Sequence, residues 1–157
     1  MTFPISVVFK RKLNIIIDHQ NAALILNYIK EEIVNRKANN IIINEGGVFA
    51  KGSTSYWRTS LFQIADKASF TLEYSSKSWF LHYQLDMPKL FIYTGLLSLF
   101  FGLFGAIEDG MWWIGFAAFA WLCGFNWIIA YIRHGSLATD LAEAINVFMK
   151  HHKTTEI

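Results

Sequence analysis

The stretch LFIYTGLLSLFFGLFGAIEDGMWWIGFAAFAWLCGFNWIIAYIR, residues 90–133, decides the fold, because it holds only three charged residues in an otherwise ordinarily charged chain. Two of these, Glu108 and Asp109, are adjacent and precede Gly110. They separate an apolar run of 18 residues, 90–107, from one of 22 residues, 111–132. Helices of these lengths would each span roughly 30 Å, the thickness of the hydrocarbon core of a bilayer. The stretch therefore predicts a transmembrane helical hairpin with a tight turn.

Composition favours this interpretation over the alternative, a helical hairpin buried in a soluble core. Of the 157 residues, 54% are hydrophobic and 17% are aromatic, which is typical of a membrane protein. The remaining residues are too few to enclose two such helices. Neither run alternates with a period of two, so membrane β-strands fit poorly.

Charges that flank the hairpin predict its orientation. Lys77 and Lys89 precede the first helix and Arg133 follows the second, whereas the turn has two acids and no basic residue. By the positive-inside rule, both termini face the cytoplasm. We therefore expect a multi-pass protein of the cell inner membrane, with the lipid bilayer as its first partner.

Small residues recur every four positions along both apolar runs, a spacing that lets helix backbones approach closely. The first run carries Ser98, Gly102 and Ala106, and the second carries Ala120 and Gly124. These stripes would either close the hairpin on itself or mediate self-association of several copies. The sequence leaves both alternatives open.

Asn126 is the most informative polar side chain within the second run. Folding the chain about the turn brings Asn126 to the depth of Thr94, which predicts a hydrogen bond between the two helices. The alternative is that Asn126 faces a water-filled seam between subunits, because polar groups inside membranes often mark pathways.

Residues 1–89 predict a cytosolic α+β domain: a small antiparallel sheet with one packed helix. Asp18 can cap the helix, which we expect from about His19 to Ala38. The last predicted strand leads directly into the membrane helix through residues 87–89. The strands are predicted within ISVVFKRKLNIIID (5–18), on either side of Glu45-Gly46-Gly47, and on either side of the turn at residues 75–78.

Residues 133–157 predict a cytosolic amphipathic helix and tail. We expect Gly135-Ser136 to break the preceding helix, with Ser136 capping a new one. The apolar stripe of the new helix should dock on protein, since its polar face is not basic enough for a lipid surface. The stripe comprises Leu137, Leu141, Ile145, Phe148 and Met149.

Catalytic motifs are absent from the sequence. It contains no G-x-S-x-G, no H-E-x-x-H, no Walker loop, no paired C-x-x-C and no G-x-G-x-x-G. His151 and His152 are adjacent and would not converge on one ion, and Cys123 has no basic neighbour to favour the thiolate. We therefore expect a protein that is not an enzyme, with no catalytic residue, no cofactor and no metal site.

A basic run, Lys10-Arg11-Lys12, is the one cluster that suggests a ligand. Together with Trp57 and Arg58 it could bind phosphate groups and stack a base, as in a nucleotide or an oligonucleotide. It could equally attract anionic lipid headgroups or be a solvated strand end.

In its domain order, a cytosolic domain followed by a two-helix hairpin, the chain resembles the small membrane effectors of bacterial anti-phage and abortive-infection systems. The resemblance covers domain order alone and carries over no functional residue. It implies an antiviral effector in which a nucleotide-type signal or a partner protein acts on the cytosolic domain. A homo-oligomeric ion channel or pore formed by the helices would then disrupt the inner membrane. The alternatives are a non-catalytic accessory or scaffold subunit of a membrane complex, and an enzyme whose site has no recognisable motif.

Overall fold

The computed structural model describes residues 4–36, 38–44, 46–51, 66–108 and 110–155. These residues form an α+β structure, which confirms the predicted fold class. In chain order the elements are β1 (Ser6–Leu13), α1 (His19–Asn35), β2 (Asn39–Asn44), β3 (Gly47–Lys51), β4 (Lys67–Ser75), β5 (Ser78–Asp86), α2 (Pro88–Glu108), α3 (Trp113–Phe119), a π-helical segment (Ala120–Phe125) and α4 (Asn126–Thr155).

The described strands form a five-stranded antiparallel sheet in the order β1-β5-β4-β3-β2. The first strand therefore pairs with the last, and Phe9 lies opposite Tyr83. Side chains alternate between the two faces, as the pattern from Trp79 to Leu85 predicts. One face is buried against helices, whereas no element of the described chain packs on the other, which we call the open face.

Helix α1 begins where the sequence places it, because the Asp18 carboxylate accepts a hydrogen bond from the Asn21 backbone N–H at 2.8 Å. Ile25, Ile29 and Ile33, spaced by one helical turn, are fully buried. The helix ends at Asn35 rather than near Ala38. It packs on the half of the sheet formed by β2 and β3.

Helices α3 and α4 and the π-helical segment between them run without a break from residue 113 to residue 155, and we call this element the long helix. The prediction of a break at Gly135-Ser136 and of a separate C-terminal helix is therefore wrong. A side chain at position 135 would begin 3.3 Å from the Phe9 ring, so the glycine permits close packing of the helix on β1. The predicted apolar stripe, Leu137, Leu141, Ile145, Phe148 and Met149, does face the sheet.

The long helix and α1 share one hydrophobic core on the same face of the sheet, where a single packed helix was expected. The rings of Tyr28 in α1 and Phe148 in the long helix stack with centroids 4.7 Å apart. The C-terminal segment thus docks on the sheet, as its weakly basic polar face predicts.

Helix α2 follows β5 almost directly, beginning at Pro88, a residue preorganised for the first helical turn. The Asp66 carboxylate accepts a hydrogen bond from the Lys89 backbone N–H at 2.8 Å and pairs with the Lys89 ammonium at 2.6 Å. The sheet therefore fixes the start of α2.

In the described part of the chain, two helices are long and apolar enough to cross a membrane, α2 and the long helix. Only 6% and 11% of the residues in their apolar windows are buried. A core helix of a soluble protein would be mostly buried, whereas these two windows expose apolar surface on nearly all sides. We call residues 88–126 the apolar hairpin. The predicted end of the second run at Ile132 lies too far along, because Trp127 donates to the Pro4 carbonyl oxygen and Tyr131 packs on Phe9.

Candidate functional site along the long helix

The apolar hairpin is closed by direct backbone contact between Gly102 and Gly115. A methyl group on Gly115 would lie 2.8 Å from the Gly102 Cα and 2.8 Å from the Ser98 carbonyl oxygen. Near the turn, a methyl group on Gly105 would lie 2.8 Å from the Met111 carbonyl oxygen. These distances leave no room for a side chain, so glycine is required for the helices to approach this closely.

Of the small residues predicted to pack between helices, some lie at the contact between α2 and α3 and others do not. Ser98 and Gly102 lie at the contact between the helices, whereas Ala106 and Ala120 are exposed and Gly124 has no atom within 4 Å of an added Cβ. Sequence reasoning missed Gly115. The signal that could have found it is that Gly102 and Gly115 are nearly equally far from the turn.

An apolar groove of about 400 Å³ runs along the outside of the contact between α2 and α3. Gly95, Ser98, Gly102 and Ala106 lie along its α2 side, and Phe116 and Phe119 lie along its α3 side. Part of the stripe of small residues on α2 therefore closes the hairpin, and part lines an open groove.

The predicted hydrogen bond between Thr94 and Asn126 is not formed. The Asn126 amide donates to the Leu122 carbonyl oxygen at 2.6 Å, and the Thr94 hydroxyl donates to the Leu90 carbonyl oxygen at 2.6 Å. Each polar side chain finds an acceptor one turn back in its own helix, which satisfies it in apolar surroundings without a partner helix.

A series of polar contacts fastens the long helix to the sheet. The Tyr83 hydroxyl and His134 Nδ1 lie 2.6 Å apart, and both side chains are buried. Farther along, the Arg11 guanidinium donates to the Thr139 hydroxyl at 2.9 Å, and the Asn14 backbone N–H donates to the Asn146 side-chain oxygen at 2.9 Å. One contact comes from β5 and the other two from the second half of β1 and the residue just beyond it, so the helix is fastened to both strands.

Burial raises the pKa of the Tyr83 hydroxyl well above its ordinary value of 10.0, because the phenolate would lose its hydration. The Tyr83 ring also stacks on Phe70 at 4.3 Å and on Phe9 at 5.7 Å. This tyrosine thus remains a neutral hydrogen-bonding group in the centre of the core.

The predicted basic patch is split by the alternation of β1. Lys10 and Lys12 lie on the open face, whereas Arg11 lies on the helix-covered face and binds Thr139. Lys10 also has a partner, since its ammonium is 3.1 Å from Glu73 and 4.6 Å from the centre of the Phe80 ring. Trp57 and Arg58 lie outside the described residues. The structure thus does not bring Lys10, Arg11 and Lys12 together as one ligand site.

Among the described residues, no three His, Cys, Asp or Glu side chains are placed to hold a metal ion. Cys123 is a free, buried cysteine in the π-helical segment. The described residues show a continuous helix that connects the sheet to the apolar hairpin.

No family model matches the chain, and no curated protein or solved structure is significantly similar to it.

Proposed function

We propose that the chain is a two-pass inner-membrane effector, in which a cytosolic sensing domain controls a hairpin that crosses the bilayer. The exposed apolar surface of α2 and of the first half of the long helix supports insertion into lipid. The long helix returns to pack on the same sheet that precedes α2. Both flanks of the hairpin would therefore lie in one compartment, which the positive-inside rule makes the cytoplasm.

The continuity of the long helix is the observation that carries this proposal. One helix lies in the apolar hairpin at its N-terminal end and along β1 at its C-terminal end, with no loop between them. A shift of the helix on the sheet would be transmitted to the hairpin, because the helical backbone continues from one to the other. The π-helical segment and Gly135-Ser136 are positions at which this helix could bend. A continuous helix of this kind would let a sensing domain act on a membrane effector.

Self-association is the second part of the proposal. The groove of about 400 Å³ along α2 is apolar and keeps small residues on its floor, which suits a helix of another copy. Several hairpins packed in this way would form a homo-oligomeric pore or channel. The membrane damage that follows would be the effect of the protein.

Ion leakage from expressing cells tests the proposal, with two variants as a matched pair. We expect growth arrest and loss of membrane potential with the native chain, and loss of both effects for Gly115→Leu, which forces the hairpin helices apart. Gly124→Leu adds the same side chain where the structure leaves space and should remain toxic. Cells that stay polarised at high expression of the membrane-inserted native chain would contradict the proposal.

An accessory subunit of a membrane complex is the second candidate, and the open face of the sheet favours it. Val8, Phe49 and the neighbouring Ile42 expose 49%, 38% and 54% of their surfaces. A partner protein could cover these side chains. Co-purification of one foreign protein at fixed stoichiometry, lost on Phe49→Glu, would support this function over the effector.

A further inference from the structure

A cavity of about 940 Å³, which we call the distal cavity, lies at the end of the domain farthest from the apolar hairpin. Three elements form its walls: the end of β1, the turn between β4 and β5, and the last turns of the long helix. Each element contributes one lysine, namely Lys12, Lys77 and Lys150. None of the described residues that line the cavity is acidic. Its volume is in the range of small-molecule sites.

The charge of the lining favours an anion. The lining carries three basic side chains and, among the described residues, no carboxylate, which suits an anionic ligand. Tyr74 and Trp79 also line the cavity, with ring centroids 5.2 Å apart, and Tyr74 is 61% exposed. Lysines bind phosphate groups, whereas an accessible aromatic ring can stack a planar group such as a base.

The turn that carries Lys77 gives an independent indication. Ser76 and Lys77 have φ angles of 50° and 61°, the left-handed region that Asn and Gly adopt at least cost. A two-residue hairpin turn of this kind is most stable as Asn-Gly. The chain instead places a lysine in this turn, on the rim of the cavity, although asparagine or glycine would adopt the turn at less cost.

The distance between the distal cavity and the apolar hairpin decides whether the ligand is a soluble anion or a lipid headgroup. Lys150 lies 17 residues beyond Arg133, the first charged residue after the apolar run. Along a helix this amounts to roughly 25 Å. The field of a charged bilayer surface decays within about 8 Å at physiological salt. A headgroup in the bilayer would not reach the cavity.

We propose that the distal cavity binds a soluble, phosphate-bearing anion that joins the β4–β5 turn to the end of the long helix. This inference deepens the proposed function by giving the chemical class of the signal. Its regulatory consequence rests on that function, whereas binding itself does not. Since Lys77 is on the sheet and Lys150 is on the long helix, the anion would favour one position of the helix relative to the sheet.

Binding of inorganic pyrophosphate to the full chain in nanodiscs of zwitterionic lipid tests the inference, by calorimetry at two salt concentrations. We expect saturable binding that weakens as salt rises. Lys77→Asn should weaken it about tenfold, because asparagine keeps the left-handed turn but removes the charge. Lys30→Asn, on the exposed side of α1, removes the same charge outside the cavity and should bind like the native chain.

A second variant separates binding from folding. Lys77→Gly relieves the backbone strain, so we expect a higher unfolding temperature together with weaker pyrophosphate binding. A purely structural Lys77 would change stability alone. Absence of pyrophosphate binding, equal affinities for the native chain and Lys77→Asn, or binding that requires anionic lipid would each overturn the inference. Binding retained by a chain that never permeabilises membranes would overturn the proposed function and leave the anion site standing.

Discussion

The Tyr83 hydroxyl and His134 Nδ1 lie 2.6 Å apart in the buried core, at the place where the long helix leaves the apolar hairpin and meets the sheet. Tyr83 belongs to β5, the strand that continues into α2. His134 belongs to the helix that returns from the hairpin. The hydrogen bond therefore links the outgoing and the returning chain just outside the apolar run.

Tyr83→Phe tests the contribution of this hydrogen bond to stability. The variant keeps the ring stacked on Phe70 but removes the hydroxyl, so we expect the free energy of unfolding to fall by about 1–2 kcal/mol. Urea titration in mild detergent measures it. Tyr74→Phe removes a hydroxyl from a tyrosine that is 61% exposed and should change stability little. Equal changes in the free energy of unfolding for the two variants would show that the buried hydrogen bond does not stabilise the fold.

Alkaline pH should destabilise the protein through Tyr83. Burial raises the pKa of its hydroxyl in the folded state, whereas the unfolded chain keeps the ordinary value of 10.0. The stabilisation is thus fully present below pH 10 and is lost as pH rises toward the folded-state pKa, by up to about 1.4 kcal/mol per pH unit. Tyr83→Phe should show a shallower decline than Tyr74→Phe when both are unfolded at a series of alkaline pH values. Parallel curves would contradict the assignment.

Gly115→Ala tests the closure of the hairpin. The added methyl group would meet backbone atoms of Gly102 and Ser98, which cannot move aside without separating the helices. We expect a loss of about 1–3 kcal/mol in thermal or urea unfolding. Gly124→Ala is the matched control: it has open space and gains up to about 1 kcal/mol of helix propensity. A stabilised Gly115→Ala variant would mean that the helices do not meet at this position.

Ser136→Ala distinguishes the continuous long helix from the break that the sequence suggests. If Ser136 capped a separate helix, the substitution would cost about 1 kcal/mol. Within a continuous helix the exposed serine caps nothing, and alanine should stabilise by a few tenths of a kcal/mol. The sign of the change in the free energy of unfolding decides between the two.

Local patterns were sufficient to predict much of this fold. The alternation from Trp79 to Leu85, the cap at Asp18 and the two apolar runs each depend on neighbouring residues, and each predicted its element. The α+β class follows from them. The end of α1 was predicted near Ala38, before Asn39-Asn40, but the helix ends at Asn35, where the backbone N–H groups of Arg36 and Ala38 bond back to Glu32 and Ile33.

Other features depend on contacts between distant segments and could not be predicted. Gly135-Ser136 has the composition of a helix end, but the packing of Gly135 against Phe9 outweighs that local preference. Gly115 is identified as a contact residue only when the hairpin is folded. The separation of Arg11 from Lys10 and Lys12, by contrast, could have been predicted. Successive residues of a strand point to opposite faces of the sheet.

Site-specific labelling measures the central claim, that residues 88–126 cross a bilayer and that both flanks share one compartment. In a Cys123→Ser background, single cysteines replace Ser76 in the domain, Met111 at the turn and Lys150 near the end of the long helix. A membrane-impermeant maleimide is then applied to intact and to permeabilised cells. We predict that position 111 reacts in intact cells and that positions 76 and 150 react only after permeabilisation. Positions 76 and 150 on opposite sides, or all three positions on one side, would contradict the account.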